Sequence, residues 1–241
     1  MIDLHCHLLP GIDDGPKTLQ DALDLCRTSF ANGITHAVAT PHITPGRYDN
    51  TLSSISQSYT KFKTELEQAG IELQLGMAAE VRLDPIIMDM VRAKTMPFLG
   101  EYQDKRVMLL EFPHTNIPPG SLELVQWLLK EGVLPMIAHP ERNGDVLQKL
   151  DKITPFVKAG CLLQLTAASL TGLFGDEEKK RGVQMLKKGW VTILASDAHN
   201  LRARLPELEP GRLIAESYLG KEESWNLVKH RPAEISAIHF S

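Results

Sequence analysis

Short apolar runs alternate with amphipathic stretches along almost the whole chain, and this alternation restricts its fold more than any other feature. Strand-like runs occupy Ile2–His7, Thr35–Thr40, Glu72–Ala78, Val107–Phe112, Val133–His139, Cys161–Thr166 and Val191–Ser196. Helical periodicity falls between them, near residues 18–32, 51–69, 85–94, 120–131, 146–159 and 178–189. Several of these stretches close at a glycine, among them Gly33, Gly70, Gly132, Gly160 and Gly189. A strand that is repeatedly followed by a helix builds a parallel sheet covered by helices. Seven such units in 241 residues predict an α/β fold, a distorted (β/α)7 TIM-like barrel in a single domain over 1–241, with an open doubly wound sheet as the alternative. The tail from Gly211 to Ser241 reads as two or three helices with a short final strand at Ile235–His239. The Pro/Gly-rich loop His114–Gly120 reads as part of a rim, being too short for a linker.

Composition narrows the function classes. With 26 Lys+Arg against 30 Asp+Glu, the formal charge of -4 gives no basic footprint for a nucleic acid. No apolar run approaches the ~18 residues of a membrane span, and MIDLHCHLLPG lacks the segments of a signal peptide. Cys6, Cys26 and Cys161 are odd in number and far apart, so neither a disulfide framework nor a CxxC site is expected, and the reading is a reducing cytoplasm.

The chemistry gathers where the strand runs end. His5 and His7, the His42 of ATPH, Glu80, Glu111, His139, and Asp197 with His199 all sit at or just beyond those ends, and Asp14 lies in the loop after the first run. Strand alternation puts His5 and His7 on one side with Cys6 opposite, and would do the same for Asp197 and His199 around Ala198. Carboxylates collected at a barrel mouth are costly to desolvate unless cations compensate them. Nine potential ligands exceed one ion, so two or three ions are expected. Mixed imidazole and carboxylate donors favour manganese, with iron or zinc as alternatives. Arg142 and Arg204 lie close to these residues and suit the non-bridging oxygens of a phosphate; Arg47 and Arg202 are weaker candidates.

The segments DLHCHLLPGIDDGP, ATPH, LEFP, IAHPERN, LFG at Leu173–Gly175 and ILASDAHNLRAR resemble, in order and spacing, the PHP (polymerase and histidinol phosphatase) metal-dependent phosphoesterases. More narrowly, the chain resembles the bacterial manganese-dependent protein-tyrosine phosphatases of the CpsB/YwqE type, which act on tyrosine autokinases that control capsule and exopolysaccharide synthesis. The resemblance implies a distorted seven-stranded barrel. It also implies one ion held by His5, His7, Glu80 and Asp197, a second reached by Glu80 with Glu111 and His139, and a third held by Asp14, His42 and His199. Arg142 and Arg204 match the positions that bind the phosphate. Ile43 departs from the pattern, since many relatives carry His or Arg there.

The expected reaction is phosphomonoester hydrolysis by a metal-activated hydroxide, with arginine stabilisation and with His42 or His199 as the candidate proton donor. The cysteine route needs an arginine six residues after the nucleophile, and the three cysteines are followed there by Ile12, Asn32 and Ala167. The expected partner is a phosphotyrosine-bearing kinase tail, with no direct membrane insertion and no oligomeric state assigned. Three rivals remain: a phosphatase of a small phosphomonoester such as histidinol phosphate, a metal-dependent amidohydrolase, and a non-catalytic metal-stabilised phosphotyrosine-binding regulator. The amidohydrolase usually needs a bridging Lys where this chain has Glu80 and Glu111.

Overall fold

The computed structural model describes residues 1–240. The chain begins with β1 (Ile2–Cys6) and α1 (Leu19–Ala31), then β2 (His36–Ala39), β3 (His42–Ile43), α2 (Leu52–Gln68), β4 (Gln74–Met77), β5 (Glu80–Arg82) and α3 (Ile86–Arg92). There follow β6 (Gly100–Tyr102), β7 (Lys105–Glu111), α4 (Ser121–Lys130), β8 (Val133–Ala138), α5 (Gly144–Gln148) and α6 (Thr154–Ala159). The last third carries β9 (Leu162–Thr166), α7 (Ala167–Thr171), α8 (Asp176–Lys187), β10 (Ile193–Ala195), α9 (Glu209–Leu219), α10 (Lys221–Trp225) and α11 (Arg231–Ser236).

Local chemistry sets several of these boundaries. Thr18 caps α1 through the Asp21 N–H, and Thr51 with Ser54 forms a reciprocal capping box at the start of α2. Asp176, Glu177 and Glu178 open α8 and Lys187 closes it, complementing its dipole.

The seven expected strands become the staves of a barrel, with two of them kinked. Pro41, which has no N–H to donate, separates β2 from β3, and Ala78–Ala79 separates β4 from β5. Pairing nevertheless runs through both kinks: β2 lies parallel to β4, β3 lies parallel to β5, and the Glu80 N–H donates to the Pro41 carbonyl at 3.1 Å. Parallel pairing continues from β5 through β7, β8 and β9 to β10. The circle closes beyond β10, where Ala198 bridges Cys6 and the Asp197 N–H donates to the His5 carbonyl at 2.8 Å. Closure excludes the open doubly wound sheet.

Two buried layers follow from the alternation of side chains. Leu4, Val107, Leu109, Leu134, Met136 and Ile193 fill the barrel, while Cys6, Met108, Leu110, Ile137 and Leu194 pack outward under the helices. A bulge between Asp3 and Cys6 adds one residue to β1 relative to β2, turning its end toward the mouth.

Three sequence expectations need correction. Ile235–His239 forms no strand: Ile235 belongs to α11 and Ala237–His239 is a 3-10 turn. This tail instead fills the split that opens between β4 and β7. A Cβ on Gly100 would lie 1.8 Å from the Ile235 carbonyl oxygen, and one on Gly76 would lie 2.8 Å from His239. The expected helix over 146–159 is broken into α5, a 3-10 turn at Leu150–Ile153 and α6, because Pro155 needs a helix start and Lys149 is extended. Asp197 and His199 do not lie on a strand, since β10 ends at Ala195 and Asp197 adopts φ 54°. They still face the same site, but through a left-handed turn.

Candidate metal centre

All nine expected ligands converge at the C-terminal mouth of the barrel. His5, His7, Glu80, Glu111, His139, Asp197 and His199 are buried, and Asp14 and His42 are half-buried. Three donor groups stand out in which the atoms lie within 4.8 Å of one another: His5, His7, Glu80 and Asp197; His7, Asp14, His42 and His199; and His42, Glu80 and Glu111. The first is the set the resemblance implied. The others differ from it in detail, because His7 joins Asp14, His42 and His199, and His42 takes the place beside Glu80 and Glu111. His139 falls outside these groups; its Nε2 faces Glu80 Oε1 at 2.8 Å.

Supporting contacts aim the imidazoles. Asp13 Oδ2 meets His7 Nδ1 at 2.7 Å and Gln164 Oε1 meets His5 Nδ1 at 2.9 Å, leaving both Nε2 atoms turned to the centre. Asp13 also accepts from the Gly15 N–H at 2.8 Å, and a side chain at Gly15 would press on the His7 carbonyl at 2.9 Å. Asp3 accepts from Ser196 N and Oγ and from the His5 N–H, fastening the bulged strand to the end of β10. His139, with φ 32°, holds a second strained backbone at the mouth.

The decisive observation is which buried donors crowd one another at 3.0–3.3 Å without making a hydrogen bond. Asp14 Oδ1, His42 Nδ1, Glu80 Oε2, Glu111 Oε2, Asp197 Oδ1 and His199 Nε2 are all buried without a hydrogen-bond partner. A buried polar atom normally finds a partner, and six that converge on one region fit divalent cations. The electrostatics agree. Burial would raise the Glu80 and Asp197 carboxyls, but His5 acts on both, with His42 beside Glu80 and Arg204 beside Asp197, and holds each well below the usual range. Glu111 is pushed up to about 7 by burial and by Glu80 beside it. Burial lowers His42, yet Glu80 and Asp14 outweigh it and bring it to about 9. Burial, with Arg142 and His7 as the respective neighbours, takes His139 down to about 3 and His199 to about 4.

Arg142 and Arg204 both donate to Asp197 Oδ2, the former at 2.5 Å, which leaves Oδ1 free for the centre. Phe174 of the LFG segment lies over the Arg142 guanidinium at 4.5 Å. A cavity of about 240 Å³ has Glu80, Glu111, His139, Arg142 and Arg204 in its lining, together with Arg47, Tyr48, Arg82 and His114. Arg47 thus reaches the site, while Arg202 lines a neighbouring groove that shares Asp14. Cys6 packs away from the centre, as alternation predicted. Burial pushes the Cys6 thiol up, and those of Cys26 and Cys161 to about 12.

Sequence reasoning missed Asp13, Gln164, Arg82, Glu141 and Tyr48. Gln164 was legible as the polar residue at the centre of LLQLT, and Glu141 lay within the IAHPERN segment. Glu141 is wholly buried and accepts from Thr166 N at 3.1 Å and Ser169 Oγ at 2.7 Å, tying the turn that carries Arg142 to β9 and α7.

Among the described residues no helix is long and apolar enough to cross a membrane. The profile of the family "Capsular polysaccharide synthesis, CpsB/CapC" matches residues 1–237. CapC of Staphylococcus aureus is 34% identical over 204 residues, covering 85% of this chain and 79% of its own. The tyrosine-protein phosphatase YwqE of Bacillus subtilis is 29% identical over 231 residues, covering 95% and 89%. A crystal structure from work on YwqE of Bacillus subtilis and CpsB of Streptococcus pneumoniae, described as metal-dependent tyrosine phosphatases, superposes with a TM-score of 0.90 at 27% identity, covering 98% of this chain and 94% of its own. The phosphotriesterase homology protein of Escherichia coli, at 12% identity and a TM-score of 0.60, shares the fold alone, over 98% of each chain. With the profile spanning nearly every residue, this chain belongs to the CpsB/CapC capsular polysaccharide synthesis family.

Proposed function

We infer that this chain is a metal-dependent protein-tyrosine phosphatase acting in capsular polysaccharide synthesis, folded as a single domain. The observation that carries the reading is the convergence, beside two arginines, of six buried donor atoms that make no hydrogen bond. His5, His7, Glu80 and Asp197 would hold one ion; Asp14, His42, His199, Glu111 and His139 would complete a site for two or three, with manganese preferred over iron or zinc. Ions held there would supply a water of lowered pKa and charge to steady the attacking and leaving oxygens of an in-line displacement.

The protein's own groups supply the rest. Arg142 and Arg204, braced on Asp197 Oδ2, direct their remaining donors to the non-bridging oxygens of the phosphate and offset the charge that spreads there. Of the two candidate donors to the departing phenolate, His42, brought to about 9, keeps a proton at neutral pH, whereas His199, at about 4, does not. No cysteine serves as nucleophile, because all three thiols are buried and held protonated. The substrate is the phosphotyrosine-bearing tail of a cognate autokinase, met in the cytoplasm.

The test strips the protein with chelator and measures phosphate release from a phosphotyrosyl peptide and from histidinol phosphate, with and without manganese. Manganese-dependent release from the peptide supports the reading. Preference for histidinol phosphate would move the enzyme to small-molecule metabolism, and silence on both would favour a binding module.

A further inference from the structure

Arginines and metal ligands account for a phosphate, but they do not explain how an aromatic ester is told from an alkyl one. The two oxygens of Glu80 face two imidazoles: Oε2 meets His42 Nδ1 at 3.0 Å, and Oε1 meets His139 Nε2 at 2.8 Å. Each imidazole carries a second ring. Tyr48 stacks on His42 with centroids 5.5 Å apart and planes 8° apart, and His114 stacks on His139 at 5.6 Å and 20°. Both outer rings line the 240 Å³ cavity and come from different loops, one after β3 and one after β7. Neither belongs to a donor group at the centre.

Tyr48 is held in place. Its N–H donates to the Thr44 carbonyl at 2.8 Å, the Thr44 N–H donates back at 3.0 Å, and the Arg47 guanidinium covers its ring at 5.1 Å.

We propose that Tyr48 and His114 are specificity-determining residues, forming the two walls of a slot that receives the phenyl ring of the substrate while its phosphate rests on Arg142 and Arg204. This rests on the phosphatase reading above. A flat ring fills space between aromatic walls and gains edge and face contacts there, whereas a short alkyl ester leaves the walls bare.

Competitive inhibition by phenylphosphonate and by methylphosphonate isolates the ring from the chemistry, because neither compound is hydrolysed and both carry the same phosphonate head. The wild-type protein loaded with manganese should bind the phenyl compound at least about tenfold more tightly. Tyr48→Ala and His114→Ala should each cut that ratio about three- to tenfold, while Tyr48→Phe and His114→Phe preserve it. Tyr48→Leu keeps bulk without a ring and should behave like the alanine variant, which separates ring recognition from lost packing. If the alanine variants weaken both inhibitors equally and leave the ratio unchanged, Tyr48 and His114 only brace the histidines beneath them and the proposal fails. Phosphotyrosyl-peptide turnover by the wild type is read in parallel: its absence defeats the phosphatase reading itself, whereas turnover with an unchanged ratio defeats only the slot.

Discussion

Two dense clusters of charge stand out in this molecule, one buried at the barrel mouth and one in the C-terminal tail, where a buried arginine meets glutamates that reach solvent. In the tail, Arg212 is 4% exposed and every contact closes on itself: its guanidinium donates to Glu209 through Nε and Nη2 at 2.6 Å each, and to Glu216 and Ser224 through Nη1, with Trp225 beneath it at 4.6 Å. At the mouth, more deeply buried carboxylates and imidazoles crowd one another at 3.0–3.3 Å, yet six of their atoms make no hydrogen bond. A structural ion network satisfies its own members, because an unmet buried charge costs several kcal/mol. A cluster that does not is shaped for something that arrives later.

The sharpest way to break this contrast is a pair of substitutions. Glu80→Gln should lower kcat/KM on a phosphotyrosyl peptide by about 10³-fold or more, with Tm little changed. Arg212→Met should do the reverse, costing about 1 kcal/mol of stability, or roughly 2–4 °C in Tm, with metal affinity and turnover retained. Steady-state kinetics and thermal melts on both variants decide it; a stability loss for Glu80→Gln as large as that for Arg212→Met would erase the distinction.

Arg142→Ala and Arg204→Ala come next. Each should lose about 10²–10³-fold in kcat while still binding manganese, since the guanidinium touches the Asp197 oxygen turned away from the centre. Metal content measured after desalting checks this, and loss of metal would make that arginine a support of the centre.

Asp13→Asn probes the aim of His7. Weakening the acceptor on Nδ1 should cost about 10–100-fold in manganese affinity, seen by calorimetric titration, with kcat largely recovered at saturating metal.

The smallest effect is a pH signature of the metal-free protein. His42, brought to about 9, and His5 and His7, both raised, keep protons that the unfolded chain releases near 6.5. The folded state binds more protons above 6.5, so stability falls as pH climbs toward 9. His139 at about 3 and His199 at about 4 act in the opposite sense below 6.5, but Glu111 and Glu141, both pushed up to about 7, keep protons that the unfolded chain releases near 4.5 and offset them there. Melts in chelator should therefore drop by a few degrees between pH 6.5 and pH 9, and manganese should flatten that alkaline side. An alkaline limb that is the same with and without metal would contradict the assignment.

The seven staves and the side chains that converge at the mouth were legible because burial on both faces of a parallel strand leaves apolar runs, and the polar residues that end those runs stand out. The kinks at Pro41 and Ala78–Ala79 were not, since each half is too short to show a period. Nor was the tail's role, because Ile235–His239 alternates like a strand while Gly76 and Gly100 across the fold make room for a helix and turn. Asp14 was chosen from a pair in which Asp13 also matters, and only the fold shows that one faces the centre while the other orients His7. The shared anchor of Arg142 and Arg204 joins positions that no local pattern connects.

The most direct test of the central claim is a manganese titration of chelator-stripped protein, with bound ions counted by native mass spectrometry and phosphotyrosyl-peptide turnover read on the same samples. The unpaired donors predict two or three ions per chain and no turnover before they bind. Full turnover in the stripped protein, or saturation with no ion bound, would contradict it.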